Sequence, residues 1–422
     1  MTRWERAVPI YGVPVLTRGF WGLTIVALIG LALTAVREVV GLGSGTGLVM
    51  SGMSDPYAWG LWKTFNVMVL TGLGSGGFAV GIAAWVFNRT KLHQVMRVAL
   101  LTSCLAYWTG LAMLGVDVGR PWNFYWVVLP WHWNLNSPLL EIAVCMSLYA
   151  SVPLLLENLP PLFEYIIYEF PKWRGVAEAC EKAMAKVYPF IVGLAYILPI
   201  MHQSSLGALM LLGGNRVHTL WQTPFLPLLY VWAAAFLGYN CVALCLLLSK
   251  LAWKRDLDMA VMDELNKITV WVIYAWTAFR FLDILVRGKI LHIFTDGYFS
   301  ILFLTETVLI LGSAYVLSTE KGKRNLQTMF LAHAVCALGG MIYRFSPTTL
   351  AFSPKDGAFY FPSAIEFLVC IGFIAIASLG YLVAVKKLAI LPASNAEWLK
   401  MAKYEEQVKP GIQLTGYAPV EH

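Results

Sequence analysis

The chain has 422 residues, 59% of them hydrophobic and 13% charged, with a mean hydropathy of +0.66. That balance excludes an ordinary soluble domain and describes a polytopic membrane protein. The net charge of +7 requires no nucleic-acid partner, because the basic residues gather in a few loops between apolar stretches.

In chain order, a start carrying Arg3, Arg6 and Arg18 leads into the first apolar stretch with no small-residue cleavage site at signal-peptide distance, so this stretch is expected to remain as an anchor. A hydrocarbon core about 30 Å thick needs roughly 20 helical residues per crossing. Spans 1 to 10 are read at 20–40, 61–87, 96–116, 137–156, 187–212, 225–248, 268–287, 299–317, 326–345 and 363–385. Lys/Arg-rich loops follow the even-numbered spans: Arg89, Lys91 and Arg97; Lys172, Arg174, Lys182 and Lys186; Lys250, Lys254, Arg255 and Lys267; Lys321, Lys323 and Arg324. The positive-inside rule therefore predicts a cytoplasmic N-terminus (1–19), a membrane domain (20–385) and a cytoplasmic tail (386–422).

The loop 157–186 contains Pro160, Pro161 and Pro171 ahead of an Ala/Glu/Lys-rich stretch, which reads as a short amphipathic helix at the interface. On the opposite side, Trp122 to Trp133 is dense in aromatics, as in a headgroup belt or a docking platform. The seven cysteines lack the clustered spacing of iron–sulfur or zinc sites, so no iron–sulfur cluster is expected in this chain. A bis-histidine haem needs two histidines at matching depth on facing helices. His202 falls in the outer half of span 5 and His333 in the cytoplasmic half of span 9, so no haem is expected.

Glu141, His202, Arg280, Asp283, Glu306 and Glu366 interrupt otherwise apolar spans, where an unpaired charge costs about 2.5–3.5 kcal/mol. They lean toward the side opposite the basic loops. At 1.5 Å per residue, His202 lies about 21 Å along span 5 from Tyr188. Glu141 occupies the first two turns of span 4, and Asp117 and Arg120 close span 3 at that level. These four are expected to converge on one pocket. The alternatives are an interfacial Asp117/Arg120 ion pair, a helix-start role for Glu141 and a packed, hydrogen-bonded His202. In span 2 the run Gly72 to Gly77 lets helices or a flat ligand approach the backbone closely, with Asn66 two turns outward.

Span 3 ends in Asp117-Val118-Gly119-Arg120 and span 7 in Asp283-Ile284-Leu285-Val286-Arg287. This faint repeat predicts an all-α fold with two parallel four-helix bundles, about 58–213 and about 225–345, flanked by spans 1 and 10.

Trp59-Gly60-Leu61-Trp62, the Gly72–Gly77 run, Asp117-x-Gly119-Arg120-Pro121, Ser137-Pro138-Leu139-Leu140-Glu141 and His202-Gln203-Ser204-Ser205-Leu206-Gly207 together resemble the NrfD/polysulfide-reductase membrane-subunit family, in its ten-span HybB-like branch. The resemblance covers roughly residues 20–385. It implies a haem-free respiratory subunit of the bacterial cytoplasmic membrane that binds menaquinone or ubiquinone near the periplasmic face. It also implies docking to a periplasmic ferredoxin-like iron–sulfur subunit serving a catalytic partner, whether hydrogenase, molybdopterin-type protein or multihaem cytochrome. Carried over by position, His202, Glu141 and Asp117 are the catalytic proton-transfer residues, and Asn66, Gly74, Arg120, Gln203 and Ser205 line the quinone site. Hydrogenase-type relatives often carry an acid where this chain has Asn66, so no proton transfer is assigned to that position. Arg280, Asp283, Glu306 and His333 are expected either to continue a proton pathway through the second bundle or to form a structural ion-pair network. A secondary transporter and a passive membrane anchor are the rival classes.

Overall fold

The computed structural model describes residues 7–10, 14–44, 51–54, 56–57, 59–117, 121–354 and 357–393. Among them, ten helices are long and apolar enough to cross a membrane: Arg18–Val36, Leu61–Val86, Thr90–Gly115, Pro138–Ile167, Pro171–Leu211, Leu226–Trp253, Met259–Val286, Tyr298–Ser318, Leu326–Leu350 and Ala364–Lys387. The protein is an all-α polytopic membrane protein, as expected. The one two-stranded pairing among the described residues, Ala7–Val8 antiparallel to Leu391–Pro392, joins the segment before span 1 to the segment after span 10.

Spans 2 to 5 pack in a closed ring, 2 on 3, 3 on 4, 4 on 5 and 5 on 2, and spans 6 to 9 close a second ring in the same way. Span 6 joins the rings through spans 2 and 5, while span 1 pairs with span 10, which leans on spans 2 and 3. Close helix junctions require glycine. A Cβ on Gly238 of span 6 would lie 2.5 Å from the Gly76 nitrogen of span 2, and one on Gly30 would lie 2.6 Å from Gly372 Cα where spans 1 and 10 cross. The glycine run in span 2 is therefore largely consumed by helix packing. Gly74, expected to line a quinone, has Ala106 Cβ only 2.6 Å from where its own Cβ would be.

The expected separate interfacial helix is instead the start of span 5. One helix runs unbroken from Arg174 to Leu211. Its first turns hold good helix formers without Gly or Pro between Val176 and Tyr188, and Arg174 pairs with Glu178 one turn on at 2.7 Å, so nothing local ends the helix at the membrane surface. Pro189 and Pro199 lie inside it, as membrane helices allow.

Glu366 is accounted for structurally. It completes a capping box with Ser363 at the start of span 10 and accepts from the Leu61 amide at 2.8 Å and the Tyr360 hydroxyl at 2.7 Å. One carboxylate thus ties the starts of spans 2 and 10.

Candidate functional site

Span 2 is irregular where it faces the other spans. Phe65–Leu70 forms π-turns, and the helix breaks at Gly74–Ser75 before resuming at Gly76. Local widening of this kind recurs at functional sites and leaves backbone and side chains free for other partners. Asn66 sits in the widened turn, fully buried, with both its Nδ2 and Oδ1 unpartnered.

Span 5 brings His202 and Gln203 to the same interior. Gln203 Nε2 donates to Thr71 Oγ1 at 3.2 Å and to the Tyr107 hydroxyl at 3.4 Å, while the Thr71 hydroxyl donates to the Val67 carbonyl at 2.6 Å. His202 Nδ1 lies 3.3 Å from the Ile142 carbonyl. A carbonyl only accepts, so this contact puts the proton of a neutral ring on Nδ1 and leaves Nε2 with a lone pair. That Nε2 is fully buried and unpartnered, as is Gln203 Oε1. Tyr107 stands 5.6 Å from the His202 ring and 4.8 Å from the Tyr149 ring, measured between centroids. Most buried polar atoms in proteins have partners, so this group of open donors and acceptors marks a place for a ligand or ordered water.

The other expected site residues are not all brought here. Glu141 lies on the exposed surface of the first turn of span 4, although the next residue, Ile142, supplies the carbonyl to His202. It is not a buried neighbour of His202. Ser205 donates to the Met201 carbonyl of its own helix at 2.8 Å, the usual intrahelical use of such a hydroxyl. The side chain of Asp117 and all of Arg120 lie outside the described residues.

Two residues were missed in the sequence. Arg344 of span 9 is fully buried, donates to the Tyr230 carbonyl at 2.6 Å and lies over the Tyr230 ring at 4.2 Å, with Nε and Nη1 unpartnered. Its guanidinium carbon would be 3.8 Å from a Cβ on Gly72, so it reaches from the second ring to the first. Its charge is what could have flagged it, but it falls at the very end of an apolar stretch where a snorkelling cation is ordinary. Glu157 is buried in the extension of span 4 with Oε2 unpartnered. Sequence reading placed it just beyond the span.

In the second ring the two deep carboxylates, Glu306 and Asp283, are paired. Arg280 Nη2 meets Glu306 Oε1 at 2.5 Å, and Glu306 also accepts from Trp221 Nε1 and Ser346 Oγ, both at 3.0 Å. Trp276, Phe303 and Tyr343 surround the Arg280 guanidinium at 4.4–5.2 Å. Asp283 accepts from Thr223 and Arg287, and Arg287 also donates to the Thr219 and Gln222 carbonyls, fixing the loop before span 6. His333 is apart from both pairs. Its Nδ1 is 2.7 Å from Asn240 and its Nε2 2.9 Å from Asn266.

The description "Polysulphide reductase, NrfD" belongs to the family whose model matches residues 49–347. The chain is 34% identical over 368 residues to the "Probable Ni/Fe-hydrogenase 2 b-type cytochrome subunit" of Escherichia coli (strain K12), covering 86% of this chain and 90% of that protein. It is 27% identical over 273 residues to the "Menaquinone reductase, integral membrane subunit" of Nitratidesulfovibrio vulgaris, covering 62% and 61%. A shorter similarity, 27% over 106 residues, covers 25% of this chain and 23% of a selenate reductase subunit of Mesobacillus selenatarsenatis. With the family pattern spanning most of the membrane domain and a relative matched over nearly its whole length, this chain belongs to the NrfD/polysulphide reductase family.

Proposed function

We propose that this chain is the quinone-reactive membrane subunit of a respiratory oxidoreductase in the bacterial cytoplasmic membrane, with its basic loops and both termini in the cytoplasm. Its site exchanges protons with menaquinone or ubiquinone in the half of the first ring away from those loops. The observation that carries this reading is the set of buried, unpartnered atoms on Asn66, His202 and Gln203. A quinone presents two carbonyl oxygens that become hydroxyls, so it needs groups able both to give and to accept hydrogen bonds. An amide does both, and His202 Nε2 can take a proton from a hydroxyl or, once protonated, return it. Membership of a family that includes a menaquinone reductase subunit supports the same ligand.

The name of the Escherichia coli relative raises the question of haem. The two fully buried histidines within spans, His202 and His333, belong to different rings, and both His333 nitrogens face asparagines. These residues do not fit a bis-histidine haem, and the function proposed here is haem-free. Electrons pass to or from the quinone through a ferredoxin-like iron–sulfur subunit serving a hydrogenase, molybdopterin-type or multihaem partner. The surface bearing Trp122, Trp126 and Trp131, all exposed, is its docking platform.

Protons have two routes to the site. In the first ring, Glu157 is within electrostatic reach of Tyr149, whose ring packs on Tyr107 beside His202. In the second, the line Arg280–Tyr343–Tyr230–Arg344 leads from Glu306 toward Gly72, and the hydroxyls of Tyr343 and Tyr230 are unpartnered. Asp283 and His333 are accounted for as scaffold on this reading. Glu141 connects the site with the outer surface.

The test is His202→Ala in the intact complex. Quinol-dependent turnover should fall by about a hundredfold or more, the usual scale for losing a proton-transfer group, while the complex still assembles. Undiminished turnover would sink the proposal. The break in span 2 also suits a transporter; solute uptake by the isolated chain in vesicles, with wild-type quinol turnover in the variant, would favour that reading.

A further inference from the structure

Two open grooves lie side by side at the basic-loop end of the second ring, away from the polar atoms around His202. The larger, about 870 Å³, includes Lys250, Asp263, Lys267, Trp271, Tyr274 and Lys323 in its lining. The smaller, about 530 Å³, shares Lys267 and Trp271 and adds Arg89, Glu264 and Trp232. Lys267 and Trp271 thus form the ridge between the two.

The charge of the larger groove is unbalanced. Lys250, Lys267, Lys323 and Arg324 face only Asp263 and Glu320. Lys323 and Arg324 share Glu320, each at 3.4 Å, and Lys250 stands 4.0 Å from Asp256. Lys267 has no ion-pair partner among the described residues. In the smaller groove Glu264 is taken by Arg89 at 3.0 Å.

Polarity also changes along the groove. Asp263, Lys267, Trp271 and Tyr274 recur every three or four residues in one helix, Met259–Val286, and so share a face. The stripe is charged at the basic-loop end and aromatic farther in, where Trp271 is 72% exposed. A soluble anion would use the lysines and ignore the indole wall. A phospholipid uses both, its phosphate at Lys267 and its acyl chains along Trp271, while the lysine stem lies on the apolar surface and keeps its ammonium toward the headgroups. Basic pockets between spans on the cytoplasmic side are suited to acidic lipid head groups.

We propose that the paired grooves bind one anionic phospholipid of the two-phosphate, four-chain type, a diphosphatidylglycerol. Lys267 sits between its phosphates, Lys250 and Lys323 hold the phosphate in the larger groove, and chains run down both sides of Trp271. This site is independent of the quinone chemistry proposed above.

The test is native mass spectrometry of the full-length protein offered tetraoleoyl diphosphatidylglycerol, phosphatidylglycerol, phosphatidylcholine or inorganic phosphate. Diphosphatidylglycerol should be retained best, and inorganic phosphate should not displace it. Each lysine near the surface is worth about a fivefold change in lipid affinity, so the triple variant Lys250→Gln/Lys267→Gln/Lys323→Gln should bind on the order of a hundredfold more weakly. Removing the same charge from the other loop, in Lys172→Gln/Lys182→Gln/Lys186→Gln, should change nothing. If the triple variant does not fold, Lys267→Gln alone, at an exposed and unpaired side chain, should still weaken binding about fivefold. Equal retention by the groove variants, equal loss in the loop control, equal binding of phosphatidylcholine, displacement by phosphate alone, or a protein helix in the grooves of the purified complex would each overturn the assignment.

Discussion

In the ring of spans 6 to 9 the deep carboxylates have their cations, Glu306 with Arg280 and Asp283 with Arg287. Around His202, in the ring of spans 2 to 5, the deep polar groups Asn66, His202 and Gln203 are uncharged side chains or a histidine with a bare nitrogen, and they end in unpartnered atoms. The second ring has open atoms too, on Tyr230, Tyr343 and Arg344, so the difference lies in the matched carboxylates of one ring and the open neutral groups around His202 in the other. Paired charges in an apolar interior brace a scaffold, because removing either member strands the other. Open hydrogen-bonding atoms cost stability and persist where something else completes them. The contrast sets ion pairs that brace the membrane domain against the open atoms around His202, which are proposed to meet the quinone.

The sharpest way to break that contrast is Glu306→Leu. It leaves Arg280 buried without its carboxylate, and the cost should be about 3–5 kcal/mol, read as loss of folded protein from membranes and a lower melting temperature. Arg280→Met combined with Glu306→Leu should recover most of it, since the desolvated pair is removed together. Failure of the double variant to recover would mean that the pair does more than balance charge.

The complementary change in the first ring is Asn66→Leu. It replaces an unpartnered amide with an apolar side chain of similar size, so the melting temperature should hold or rise. Turnover with quinol should fall about tenfold, the equivalent of one hydrogen bond to the substrate. Loss of stability together with full turnover would place Asn66 in the scaffold.

The smallest expected effect lies outside the spans, where His218 and His292 both contact Asp296 Oδ2, at 2.9 and 2.8 Å. Burial lowers the pKa of His218 below 6.5, and the Asp296 hydrogen bond offsets this only in part. Burial opposes the charge of Asp296, but hydrogen bonds from Thr295, His292 and His218 outweigh it and hold the carboxyl below 3.8. Both depressed groups act in the same direction. Their contribution to stability is complete above the unfolded-state values and drains away as pH falls, beginning for His218 near 6.5. His218→Gln keeps a donor toward Asp296 without titrating, so it should flatten the acid side of the melting-temperature profile. An unchanged slope would remove His218 from that dependence.

The amino-acid sequence by itself determined the membrane class, the ten spans and the all-α architecture, because a helix that must satisfy its backbone in hydrocarbon leaves its length and composition plainly visible. It also brought His202 forward, since a polar residue deep in an apolar helix stands out, and Gln203 through the motif that resembles the family. Only the tertiary structure decided which buried groups have partners. Glu306 and Asn66 look equally anomalous in the chain, yet one is met by Arg280, Trp221 and Ser346 and the other by nothing among the described residues. The use of the glycine run for packing, the reach of Arg344 between the rings and the exposed position of Glu141 likewise depend on how helices distant in sequence cross and turn their faces, which periodicity along one helix does not encode.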